Sequence, residues 1–475
     1  MPFLNTLVIV IEALLALNLL IFVHELGHFW AARWRGLKVE RFAIWFGKPI
    51  WKKKIGDVEY ALGWIPAGGY VSLPQMASME AIEGKTDQKA DQLPSAPPLD
   101  KIIVAFAGPL FSFLLALVFA VIVWKVGKPV SKGSDEPVLG WVVPDGPAGK
   151  VGLKPGDKIL EIDDHRITSY GPPSTNNMED SLVWRIMTSQ NETIKIKYAR
   201  NGQEFTTNAV PYKRQTRWFE RSDVRHLQVD SPMRAVIGAV MTNSPAQLAG
   251  LREDDEIVAL NGEKVLHIYA VKYASDSMTN TGVVPITFTI KRGTNVFDKT
   301  IVAAKPLSPT NYPPMFGIGW KDASERFMSY PEPWGQIEAA AGQIFATIGA
   351  VVSRHTEIGA QHLGGAVMII RVYTNLFEDE DGWRMVLWFS VVLNVNLALL
   401  NMLPLPVLDG GHILLSLVEA VRRRSASPKL LSYIQNGFAA LLIGFMIWIA
   451  FYDTGDWIRS RSSKPKEIIF APPSK

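Results

Sequence analysis

The sequence predicts a polytopic α-helical membrane protein, with four transmembrane helices around a metal site, a re-entrant β-hairpin and two mostly β domains outside the bilayer. Three observations predict it. The apolar content of the 475 residues is concentrated in four runs, 7–23, 102–124, 383–403 and 430–452, each roughly the 20 residues that cross a hydrocarbon core as a helix. The first run leads directly into His24-Glu25-Leu26-Gly27-His28. The stretch between the second and third runs contains an internal repeat.

The first run has no basic leading region and no small-x-small cleavage site, so it is expected to be retained as an anchor. On a helix, histidines four residues apart lie on one face and can share a metal ion, with Glu25 beside them to accept a proton from water. Imidazole and carboxylate groups are costly in hydrocarbon, so their presence there marks function. Such a site implies hydrolysis of peptide bonds within the membrane. Counting from Asn5, His24 lies roughly 28 Å along the helix, near the far face of the bilayer.

After the first run, residues 60–71 are apolar but broken by Pro66, Gly63, Gly68 and Gly69. They are too interrupted to span, and suit a hairpin folding back toward the bilayer whose edge could pair with an unwound substrate. A loop resting on the membrane fits the same spacing. Residues 87–98 are polar and Pro-rich and read as a linker ahead of the second span.

Between the second and third spans, residues 147–167 overlay 245–265. Both copies read Pro-Ala, Gly-Leu, an acidic turn and an alternating strand, as in Gly152-Leu153-Lys154-Pro155-Gly156-Asp157 against Gly250-Leu251-Arg252-Glu253-Asp254-Asp255. Alternating runs before Asn201-Gly202 and Arg292-Gly293 add strand-turn signals, giving two small, mostly β modules. Residues 333–353 read as a helix with an Ala-rich apolar face.

The third run ends in Asn401-Met402-Leu403-Pro404-Leu405-Pro406-Val407-Leu408-Asp409-Gly410-Gly411. A catalytic zinc takes three protein ligands, and Asp409 is the strongest candidate for the third, at the same depth as His24. The two prolines break the helix just before it, so the backbone can deliver a carboxylate. His412 is a rival, and an aspartate that merely caps the next helix is the structural alternative.

The net charge of +4 points to no nucleic-acid partner, but the placement of charge is informative. Arg33, Arg35, Lys38, Arg41, Lys48 and Lys52-Lys53-Lys54 follow the first span, and Arg422-Arg423-Arg424 with Lys429 follow the third. Short basic loops stay cytoplasmic, which puts the β modules and both termini outside. The absence of cysteine excludes structural disulfides. The expected division is 1–125 and 383–475 as the two parts of the membrane domain, 126–222 and 223–308 as the β modules, and 309–382 as a connector with an amphipathic helix.

Residues 244–262 resemble the "SPAxxAGLxxGDxIxxING" stretch of PDZ domains closely, and 146–164 resemble it loosely, so the modules look like tandem PDZ domains. Peptide binding by strand addition and a purely steric role are both open for them. With His24-Glu25-Leu26-Gly27-His28, Gly68-Gly69-Tyr70, Ala107-Gly108-Pro109 and 401–411 in this order, nearly the whole chain resembles the site-2 protease family in its RseP-type bacterial branch. The resemblance implies an intramembrane zinc metalloprotease of the bacterial inner membrane, acting in regulated intramembrane proteolysis, with its active site near the cytoplasmic face. By matching position it implies Zn2+ ligands His24, His28 and Asp409, Glu25 as general base, and Asn401 holding substrate or the developing oxyanion. Gly68, Gly69 and Tyr70 become substrate-binding residues.

The implied substrates are single-span membrane proteins, such as an anti-sigma factor, or remnant signal peptides, after trimming by an upstream periplasmic protease. Relatives commonly carry Leu-Ser-Gly-Pro where this chain has Leu363-Gly364-Gly365-Ala366. The competing function is a membrane-anchored PDZ scaffold without proteolysis, but structural zinc sites are closed by four ligands, often cysteines, and this chain has none.

Overall fold

A computed structural model describes residues 2–79, 96–171, 178–321, 323–354, 356–379, 381–423, 428–462 and 468–472. The linker expected over 87–98 lies outside them up to residue 95. The chain divides into two compact units, one of residues 1–128, 330–345 and 363–455, the other of residues 129–329, 346–362 and 456–475.

The first unit begins with α1 (Pro2–Trp34), then β1 (Arg41–Phe46), β2 (Trp51–Ile55), β3 (Val58–Leu62), β4 (Ile65–Ser72) and α2 (Pro98–Val126). It resumes with α3 (Pro333–Val352), which ends in the other unit, followed by α4 (Ala366–Phe377), α5 (Gly382–Asn401), α6 (Asp409–Arg422) and α7 (Pro428–Ser462). Among the described residues four helical stretches are long and apolar enough to cross a membrane: Leu7–Trp34, Pro98–Val126, Gly382–Asn401 and Leu430–Ser460. They overlap the four apolar runs. α1 is continuous through the His-Glu-x-x-His motif, so the two histidines do stack on one helix face.

Local chemistry sets the helix ends. Pro98 starts α2, where a missing amide costs nothing, and Gly127 at φ +75° stops it. On α2, Ala116 and Ala120 are fully buried and small enough to admit Ile337 and Ala340 of α3 and Val391 and Val395 of α5. Gln336 of α3 donates its buried Nε2 to the Ala120 and Pro331 carbonyls, each at 2.9 Å. Asp453 of α7 accepts from the amides of Gly365 (2.9 Å) and Met368 (3.2 Å), which gives the Gly364-Gly365 loop a capping role at the start of α4.

The hairpin expected over 60–71 is not formed. The four strands lie in the order β2-β3-β1-β4, with β3 parallel and β4 antiparallel to β1, so β3 and β4 flank β1 and never pair with each other. The hairpin is β2–β3 instead, closed by Gly56-Asp57. It returns β3 beside β1, and the chain must then cross the end of β1 to add β4. Gly63 makes that crossing: its amide donates to Ile44 O at 2.9 Å, and any Cβ there would overlap the Phe46 carbonyl. Phe42 of β1 meets Phe22 and Phe29 of α1 edge-on, at 5.7 and 5.4 Å, and seats the sheet on the helix.

The second unit contains the two β modules. In the first, strands Gln203–Ala209, Ile194–Arg200, Lys158–Ile162 and His165–Arg166 lie side by side in that order. In the second, Asn295–Val302, Pro285–Arg292, Glu256–Leu260 and Glu263–Lys264 repeat the same arrangement. The repeated acidic turn has one structural job in both. Asp157 and Asp255 are buried, accept from the backbone amides of Lys154 and Arg252, and bind Arg200 and Arg292, each of which also reaches a glycine carbonyl, Gly152 or Gly250. Charge-assisted pairing with an arginine is what lets these aspartates be buried.

Candidate metal centre

α1 and α2 approach closely because Gly27 has no side chain; a Cβ there would overlap the Ala107 carbonyl. The approach brings residues 104, 108 and 112 of α2, each one turn apart, against the histidine face of α1. His28 Nδ1 lies 2.8 Å from the Val104 carbonyl, which can only accept, so this nitrogen carries the proton. His24 Nδ1 is held by the Ser112 hydroxyl at 3.0 Å. Both Nε2 atoms therefore point inward, 3.3 Å apart.

Asp409 closes the cluster from a chain distance of some 380 residues. α5 ends at Asn401, and α6 starts at Asp409. The Leu403–Leu408 turn between them, which contains Pro404 and Pro406, packs against Gly410 and Gly411; a Cβ on either glycine would overlap the carbonyl of Met402 or Leu405. Asp409 Oδ2 lies 3.3 Å from His24 Nε2, and Oδ1 lies 3.4 Å from His28 Nε2. The cap position of α6 is Leu408 and makes no side-chain cap bond, so the carboxylate is free for the histidines.

The residues fit a metal. Asp409 Oδ2 is buried without a hydrogen-bond partner, while two imidazole nitrogens and a carboxylate converge with all their ligand atoms within 4.8 Å. Buried donor atoms converging in this way call for a cation. The two imidazole Nε2 atoms lie 3.3 Å apart, each with one oxygen of the Asp409 carboxylate within 3.4 Å, which is within the reach of a single small cation. Two imidazoles and one carboxylate also suit zinc by ligand softness.

Asn401 reaches the centre, its Nδ2 3.3 Å from His24 Nε2. Glu25, half-buried on α1, faces β4: a Cβ on Gly69 would come within 3.0 Å of Glu25 Cγ. Gly68 and Tyr70 face the other way. A Cβ on Gly68 would overlap the Phe46 ring, and Tyr70 stacks on Phe46 at 6.3 Å and takes a bond from Arg41 Nη1 at 3.4 Å. Only the backbone of the Gly68-Gly69-Tyr70 stretch is therefore presented beside Glu25, and β4 is an edge strand of the sheet, as is β2 on the other side. His412, the rival ligand, is buried on α6 but lies outside the cluster.

Ser112, the Val104 carbonyl and Gly108 are absent from the sequence-derived site. A Cβ on Gly108 would overlap His28 Nε2 and come within 2.9 Å of His24 Nε2, so only glycine leaves the metal position open. Their four-residue spacing puts 104, 108 and 112 on one face of α2, but nothing in the sequence says that this face meets the histidines.

Residues 12–445 match the sequence profile of Peptidase family M50. The chain is similar to the "Regulator of sigma E protease" of Haemophilus influenzae, 28% identical over 470 residues that cover 93% of this chain and 97% of the relative. It is similar to "Protease RseP" of Yersinia pestis at 26% over 460 residues, with coverage of 93% and 97%. A Vibrio cholerae protein with the provisional name of a zinc metalloprotease is 28% identical over 463 residues, again covering 93% and 97%.

Proposed function

The chain belongs to Peptidase family M50, and from that premise we propose how its residues divide the work of cleaving a peptide bond in a membrane. It is an intramembrane zinc metalloprotease of the site-2 class. The observation that carries the proposed mechanism is the convergence of His24, His28 and Asp409 on one point.

His24, His28 and Asp409 would hold the ion, which would supply Lewis acidity there to polarise a carbonyl and lower the pKa of water toward ~7. The Glu25 carboxylate accepts the proton of the attacking water and returns it to the nitrogen of the leaving amine. Asn401 donates its amide to the carbonyl oxygen as negative charge builds on it. Helical substrates hide their carbonyls in hydrogen bonds, so the target segment unwinds first. The open edge of β4 at Gly68, Gly69 and Tyr70 then holds it extended through backbone bonds, with Gly69 leaving room beside Glu25 and Tyr70 bracing the strand from its other face.

The basic loops after the first and third spans put those loops, and the metal centre near them, on the cytoplasmic side of a bacterial inner membrane, with residues 127–382 and both termini periplasmic. Residues 126–222 and 223–308 act as PDZ-like domains, a reading supported by their shared strand order and the repeated Gly-Leu-to-acidic-turn motif. They exclude substrates that still carry bulky external domains. The substrate is a single-span membrane protein already trimmed outside, of the anti-sigma-factor type that the family resemblance implies, or a remnant signal peptide.

Cleavage of a reporter transmembrane segment by purified wild type and Glu25→Gln tests this reading. The variant should bind zinc as the wild type does and lose about 10²–10⁴-fold in rate. A variant that keeps full activity would remove Glu25 as the general base.

A further inference from the structure

Beyond α7, residues 468–472 lie on the second β module. Ile469 forms an antiparallel bridge with Ser308: its amide donates to Ser308 O at 2.9 Å, and its carbonyl accepts from Leu307 N at 2.7 Å and Ser308 N at 3.4 Å. The side chains alternate as on a strand. Ile469 is 49% exposed, whereas Phe470 is 3% exposed.

Phe470 is buried at a defined corner. A Cβ on Gly317 would come within 3.0 Å of Phe470 Cε2, and Gly317, at φ +76°, stands just before strand Ile318–Trp320. The Gly317 carbonyl takes the Met241 amide at 2.9 Å, and the Phe316 carbonyl takes the Ala246 amide at 3.0 Å at the start of helix Pro245–Leu248. The corner is thus built from two separate stretches, residues 241–246 and 316–318. Residue 470 comes from neither.

We propose that the second β module carries a peptide site for an extended apolar segment with an aromatic anchor, and that the chain's own residues 468–472 fill it in cis. Three backbone bonds and one buried ring recognise any peptide that can pair with residues 307–308 and place an aromatic side chain at Gly317. Such a site is weak for a free peptide. Joined to α7 through residues 463–467 alone, the resident segment acts at an effective concentration on the order of millimolar and keeps the site filled. A peptide of the same chemistry arriving from elsewhere binds only by displacing Phe470. This inference uses contacts of the second unit alone and stands apart from the proteolytic reading.

The test uses the full-length chain in detergent. Because the chain has no cysteine, Ser308→Cys with Ile469→Cys introduces its only thiols, at a hydrogen-bonded antiparallel pair whose Cα spacing of about 5.5 Å permits a disulfide. A fluorescent Ile-Ile-Phe-Ala-Pro peptide should bind Phe470→Ala at least roughly tenfold more tightly than wild type. The oxidised double-cysteine protein should refuse the peptide, and reduction should restore wild-type behaviour. Equal binding to wild type and Phe470→Ala, binding to neither, or a disulfide that does not form would each overturn the proposal. A single cooperative melting transition of Phe470→Ala verifies that the variant is folded.

Discussion

Each histidine of the cluster has one nitrogen committed by α2, His28 to the Val104 carbonyl and His24 to the Ser112 hydroxyl, and this turns the other nitrogen to the proposed metal position. Partners of this kind orient a ligand and raise its basicity. Ser112→Ala removes one without altering a ligand, and zinc affinity in a chelator competition should fall about 10–100-fold. An unaltered affinity would strip Ser112 of this role. The two histidines are readable from the sequence because an i, i+4 pair needs only local helix geometry. Ser112 and Gly108 are not, since their part depends on the register of α2 against α1, which no local spacing fixes. Tyr70 marks a related limit: its neighbourhood was readable, but not the face of β4 it occupies.

The break between α5 and α6 is the element on which the proposed third ligand, Asp409, depends. Pro404 and Pro406 stop one helix, and Gly410 and Gly411 let the next begin against the turn it has just left. Gly411→Ala would push a methyl group into the Leu405 carbonyl and displace Asp409. The expected cost is about 1–3 kcal/mol in stability, together with reduced zinc retention although every ligand is intact; a variant with wild-type zinc content and melting temperature would contradict this. The break could be anticipated because proline acts locally. The β1–β4 sheet could not, because β3 joins β1 in parallel across the β2–β3 turn, and strand partners that far apart in sequence leave no periodic trace.

At the scale of the whole molecule, the sequence repeat corresponds to two modules of the same strand order, each pinned by a buried Asp–Arg pair. The repeat was readable as a pattern. The division of the chain was not, since both units are assembled from separated segments, 330–345 joining the first and 456–475 the second. The second module also carries a pH-dependent element. His267, at the cap position of helix Ile268–Thr281, accepts the Tyr269 amide on Nδ1 at 3.1 Å, and burial pushes its pKa down to about 4. The unfolded chain therefore binds a proton between about pH 6.5 and 4 that the folded module refuses, so stability is full above that window and lost as pH falls through it, by on the order of 2 kcal/mol. Melting curves from pH 7 to 4.5 should show a steeper loss in wild type than in His267→Gln; parallel losses would exclude this histidine as the cause.

The proposed chemistry requires one ion held by side chains from both ends of the membrane unit. Zinc content of the purified full-length chain tests it most directly, measured for wild type, Glu25→Gln, His28→Ala and Asp409→Ala. Wild type and Glu25→Gln should each carry about one zinc per chain, as expected for a single three-ligand catalytic site, and the two ligand variants should carry almost none. An Asp409→Ala protein that is folded and still holds a full equivalent of zinc would rule out Asp409 as a ligand.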